Sequence, residues 1–216
     1  RLVVDGANRL DADGNNPIFP VLSALTDAYL VYRPNPLFWI WLGQMALPLD
    51  TEGSMTRARL NFADRSVAVA GVRAGRGFAV EGLSVEREPG VVVGASEVPL
   101  GSLRLDYRFA LTNGNGPNQV GNDNDLLAYS TRFGVGFLDH LRLGAGVRSN
   151  SRTVGQLPNE NRETLTTFFA DLRFLISGLD FLSQVMWRQT NFDDTQGEPD
   201  SAMGWTAWLV LDRPFF

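Results

Sequence analysis

Seven arginines after residue 102 share one placement. Arg104, Arg108, Arg132, Arg142, Arg148, Arg173 and Arg188 each stand opposite a row of apolar residues in a stretch that alternates with period two. A guanidinium binds carboxylate or phosphate through two parallel hydrogen bonds. Such a row facing water would concentrate anions and repel cations. Only Asp106 and Asp171 accompany these arginines on the same strand faces, and most of the acids lie in expected loops. An ordinary solvated sheet face with scattered ion pairs would use the same residue types. What the apolar rows face decides between the two.

A second arginine group, Arg57, Arg59, Arg65 and Arg73, falls in residues 46–76, where the alternation breaks at Pro48, Gly53, Gly71 and Gly75. A long irregular segment inside a regular all-β chain is functional or disordered. Folded inward, Arg57, Arg59 and Arg65 would narrow a pore and select its solutes. Left outside, the segment would be a loop with local charge pairs such as Asp64 and Arg65.

Other chemistry is sparse. There is no cysteine, so disulfides and thiolate metal sites are excluded. His140 is the one histidine and stands in an expected turn. Asp11-Ala12-Asp13-Gly14-Asn15 resembles part of a calcium loop without the rest of its oxygen ligands; it reads as a plain turn, as does Asn122 to Asp125. No G-x-S-x-G, P-loop or zinc spacing occurs. The expectation is a protein without enzymatic activity, cofactor or metal. All 19 cationic side chains are arginine, as a G+C-rich genome or a need for bidentate anion contacts would produce, and the net charge of −5 argues against a nucleic-acid partner.

Strands must position these groups. Leu103, Leu105, Tyr107, Phe109 and Leu111 alternate with Arg104, Asp106 and Arg108 over about the length a tilted strand needs to cross a bilayer. The pattern recurs at 25–33, 127–137, 141–148, 168–176, 181–190 and 205–211, and 37–45 is apolar on both faces. Residues 86–101 read as a hairpin connection with a short edge of strand at Val91 to Val93. Residues 113–125, 151–162 and 191–202 read as polar loops. Connections thus alternate between short (34–36, 138–140, 177–178) and long, the asymmetry of transmembrane barrels. No run approaches the length of a membrane helix. In a membrane only a closed barrel satisfies the backbone, with the charges turned to a lumen. Tyr29, Tyr32, Trp39, Trp41, Tyr129, Phe137, Trp187 and Trp205 would then form interfacial girdles. The expected fold is all-β: an antiparallel transmembrane β-barrel with about 10–12 strands in one domain over 1–216, with 46–76 as an inward constriction loop. Arg104, Arg108, Arg132, Arg142 and Arg148 are the expected pore wall.

Several short motifs in order resemble the phosphate-selective porin O/P family. Thr26-Asp27-Ala28-Tyr29, Tyr32-Arg33-Pro34, Gly43-Gln44 and Pro48 resemble its "TDAY…YRP…GQ…P" run. Asp64-Arg65-Ser66 with Gly75-Arg76 resembles its "(D/E)RS…GRD" stretch, and Ala110 to Gly116 its "(V/L)FNGNG" strand end. Gly204-Trp205 matches a strand opening common there. The resemblance implies a bacterial outer-membrane barrel of about sixteen strands, a homotrimer in contact with lipid and lipopolysaccharide, passing small anionic solutes by diffusion. It also implies that the segment around Arg65-Ser66 folds inward. Phosphate-binding members also use lysine, which this chain lacks, so the expectation is anion preference rather than phosphate specificity. The strand count, the start at Arg1, and Asp212 and Pro214 near the terminal Phe216 point to a part of a longer chain or a reduced barrel. Two rival readings use the same residues: a plugged or structural barrel in an envelope complex, and a soluble β-sandwich binding module.

Overall fold

A computed structural model describes residues 2–6, 25–47, 49–55, 65–72, 80–84, 87–115, 125–138, 140–154, 161–192 and 198–211. The architecture is all-β and antiparallel. Ten strands form one sheet: β1 (Leu2–Gly6), β2 (Leu25–Asn35), β3 (Phe38–Ala46), β6 (Arg87–Leu100), β7 (Leu103–Thr112), β8 (Ala128–Phe137), β9 (Leu141–Val154), β10 (Asn161–Ile176), β11 (Leu179–Phe192) and β12 (Asp200–Leu211), each beside its neighbour in that order. Among the described residues no ladder joins β1 to β12, so the sheet is open. Between β3 and β6 lie two single-turn helices, α1 (Thr51–Ser54) and α2 (Val67–Ala70), and a minimal pair of strands, β4 (Gly71–Val72) and β5 (Val80–Glu81).

The period-two pattern sorts side chains to two unlike faces. Leu30, Tyr32, Leu42, Phe109, Leu111, Tyr129, Phe133, Phe168, Trp187, Met203, Trp205 and Leu209 stand exposed on one face. The other face holds buried Glu88, Arg132, Arg148, Thr167, Asp171, Gln184 and Arg188. The buried apolar cluster also lies on this second face. Trp39 and Met45 of β3, Val92 of β6, Ala110 of β7, Phe169 of β10 and Met186 of β11 surround Leu47, Leu49, Val69 and Leu83 of the segment between β3 and β6. On a flat sheet, β3 and β11 would stand about 29 Å apart. Both meet the same short segment, so the sheet curls around it.

Three expectations from the sequence need correction. Residues 87–100 are a full strand, not a connection. Glu88-Pro89-Gly90, Gly94 and Pro99 resemble turn punctuation, and an irregularity between Ala95 and Val98 interrupts the period. Strands β9, β10 and β11 run into the supposed polar loops. There Ser151 hydrogen-bonds Thr164 at 2.9 Å and Arg152 pairs with Glu163 across the ladder. Finally, Tyr29, Trp41 and Trp39 are not girdle residues. They stack on one another, with centroids 5.2 and 4.6 Å apart, on the buried face. Gly94 makes this possible: a Cβ there would stand 3.0 Å from the Trp39 ring.

Candidate functional site: the inner face and its inward strap

Ladder register places the inner-face charges in rows. Arg104, Gly136, Arg142 and Arg173 are cross-strand neighbours on β7 to β10, beside the short turns. The next row is Asp106, Gly134, Gly144 and Asp171; the next is Arg108, Arg132, Gly146 and Phe169. Beyond it Ala110, Ser130, Arg148, Thr167 and Arg188 share a row. One acidic row therefore stands among three cationic ones, and glycines on β8 and β9 leave room for long side chains to reach across.

Two buried ion pairs exploit that room. Arg132 donates to both oxygens of Asp171, at 2.6 and 2.8 Å. Arg148 donates to Glu88 at 2.7 Å, and Thr112 donates to the other Glu88 oxygen. Both pairs are almost fully shielded from water. Each joins strands of the wall, so the desolvated charges are matched within the sheet.

The segment after β3 crosses this face as a strap. Leu47 and Leu49 bury against the core, and the Leu49 carbonyl accepts from Arg132 at 2.6 Å. Thr51 donates to Asp171 at 2.8 Å. Asp50 caps α1, accepting from the Gly53 N–H and the Ser84 hydroxyl. Glu52 accepts from the Ser66 N–H and hydroxyl, at 2.6 and 2.8 Å, and from Gln184 at 3.0 Å. Arg188 donates to the Gly82 carbonyl at 2.9 Å. On the β12 side, a Cβ at Gly204 would meet Ala68 of α2 at 2.7 Å. The strap thus touches β8, β10, β11 and β12 although its ends belong to β3 and β6. Burial holds the Asp50 carboxyl above the usual carboxylate range; repulsion from Asp171 adds to this, while Ser84, Gly53 and Arg132 oppose it.

The expected site residues take different places. Arg65 lies on the strap, where it donates to the Met55 and Gly53 carbonyls at 2.8 and 3.3 Å and so fixes the end of α1. Arg57, Arg59 and Arg73 lie outside the described residues, as does Asp11 to Asn15. Arg132 and Arg148 are buried in the ion pairs, and Arg108 stands half-buried in the Arg132 row. Arg104 and Arg142 remain half-exposed beside Glu97. The sequence reading missed Asp50, Glu52, Glu88 and Glu97. Asp50 and Glu52 sit in irregular sequence, and the acids at 88 and 97 lie among apparent turn residues. No family model, curated protein or solved structure matches the chain.

Proposed function

We propose that the chain forms an outer-membrane β-barrel porin of the phosphate-selective O/P type, through which small hydrophilic solutes diffuse passively, with anions favoured. The inversion of polarity between the faces carries this reading. From β2 to β12 the apolar row stands exposed on one face, and the buried charges share the other face with the strap. That arrangement suits a wall with lipid outside. A soluble sandwich needs a second sheet against the apolar row, and among the described residues the second sheet consists of the two-residue strands β4 and β5. The strap narrows the lumen, and the Arg104 row lines the mouth beside the short turns.

One observation favours a plugged barrel as the second reading. Arg132 and Arg148 are engaged in ion pairs, and the strap is anchored to several wall strands. Single-channel recording of the purified protein in planar bilayers separates the two. Stepwise conductance with an anion-selective reversal potential is the porin outcome. Verified insertion without conductance is the plugged outcome.

A further inference from the structure

Glu97 occupies the left-handed region of backbone space, with φ of 57°, at the irregularity between Ala95 and Val98 of β6. A side chain with a Cβ is rarely held there. A bulge adds one residue to a strand and re-aims a side chain. Here it turns the Glu97 carboxylate toward the first arginine row. One oxygen stands 2.7 Å from Arg142 and the other 3.6 Å from Arg104. The Glu97 N–H donates to Asp106 at 3.0 Å, which fixes the bulge. Gly136 lies between the two arginine positions in the ladder, and a Cβ there would stand 3.6 Å from Arg104.

The clasp contributes little as a structural device. Arg104, Arg142 and Glu97 are 45%, 48% and 38% exposed, and ion pairs that open to water add little to stability. A strained backbone that gains so little in return marks a functional position. Two guanidinium groups at the mouth of the lumen already hold one carboxylate, and that carboxylate is tethered.

We infer that Glu97 is a specificity-determining residue: a built-in counter-anion that occupies the Arg104–Arg142 pair and that a carboxylate-bearing solute displaces as it passes. This rests on the porin reading. With Glu97 in place the mouth carries less net positive charge, so the wild-type protein is a moderated rather than a strict anion filter. Removing the carboxylate takes away the tethered competitor for mobile anions.

The test is bilayer recording of wild type, E97Q and E97G under a potassium chloride gradient, followed by titration with succinate. Glycine suits the positive φ, so E97G covers failure of E97Q to fold; heat-modifiable gel mobility checks both. The expected result is a chloride-to-potassium permeability ratio raised roughly two- to threefold in both variants, with succinate blocking them at lower concentration than wild type. Conducting variants with the wild-type ratio overturn the role of Glu97 and leave the porin reading standing. Silence in all three proteins, despite insertion, overturns the porin reading and this inference together.

Discussion

Arg132 and Asp171 pair across an intervening strand. Arg132 lies on β8 and Asp171 on β10, and the β9 residue between them is Gly144. A Cβ on Gly144 would stand 2.1 Å from an Arg132 nitrogen and 2.9 Å from an Asp171 oxygen. Asp171→Ala leaves a buried guanidinium without its partner, and the expected loss is about 3–5 kcal/mol. Gly144→Ala should cost on the order of 1–3 kcal/mol by displacing the same pair. In an Arg132→Ala, Asp171→Ala background the glycine substitution should cost almost nothing further, because it acts only through the pair. Urea unfolding in detergent micelles, followed by gel mobility, reads all of these. Full additivity would show that Gly144 serves some other purpose.

The outward apolar row makes a prediction that separates lipid from water. Phe133 is exposed near the middle of β8. Phe133→Arg should destabilise a bilayer-inserted wall by about 2–4 kcal/mol, and the same change at Ser201, near the start of β12, by about 0–1 kcal/mol. Equal, negligible effects at both positions in lipid vesicles would mean that this face meets water.

Asp50 should make docking of the strap sensitive to pH. Its folded-state pKa is raised, first by burial. The folded state therefore binds the proton more tightly than the unfolded state. This contribution is fully present below the ordinary value of 3.8 and is lost as pH rises through the raised value. Hydrogen exchange at residues 49–55 should speed up as pH rises across that window, once corrected for intrinsic exchange. Asp50→Asn should flatten the difference. An identical pH profile in the variant would exclude Asp50 as the origin.

The constriction arginines remain a prediction of the sequence. Replacing Arg57, Arg59 and Arg65 together with serine should lower anion selectivity in bilayer recordings. Arg65→Ser alone should also loosen the end of α1, since Arg65 holds the Gly53 and Met55 carbonyls. Unchanged reversal potentials in the triple variant would count against the constriction role.

The legible parts of this fold are those where one face is uniformly apolar. β7 was readable from Leu103 to Leu111, because each outward position carries a large apolar group and each inward one a charge or small residue. The upper ends of β9 and β10 were not, because Ser151, Arg152, Glu163 and Thr164 stabilise the ladder by polar pairs that leave no hydrophobic period. β6 was hidden for a different reason. Its glycines and prolines serve inner-face space and a bulge, and the same residue types mark turns elsewhere. Trp39 and Trp41 have no face marked by their own strand, because β3 is apolar on both faces; the room for Trp39 is left by Gly94 of the neighbouring strand, a tertiary fact. In the site, the inward arginines were visible as a class, but their partners were not. The pairing of Glu88 with Arg148 comes from ladder register and that of Glu97 with Arg104 and Arg142 from a bulge, and alternation alone specifies neither.

Ala46 and Arg87, the residues at the two ends of the strap, face each other in the β3–β6 ladder. Directly opposed residues lie about 5 Å apart, a gap that a tight turn could bridge. Arg148 and Glu88 are matched within the sheet alone, and Arg132 and Asp171 pair with each other while each also hydrogen-bonds the strap. The segment between is in effect a cassette laid on one face of a sheet whose ladder is already continuous behind it. Its length and charge can drift while the hydrogen-bonded frame on either side of it keeps its register.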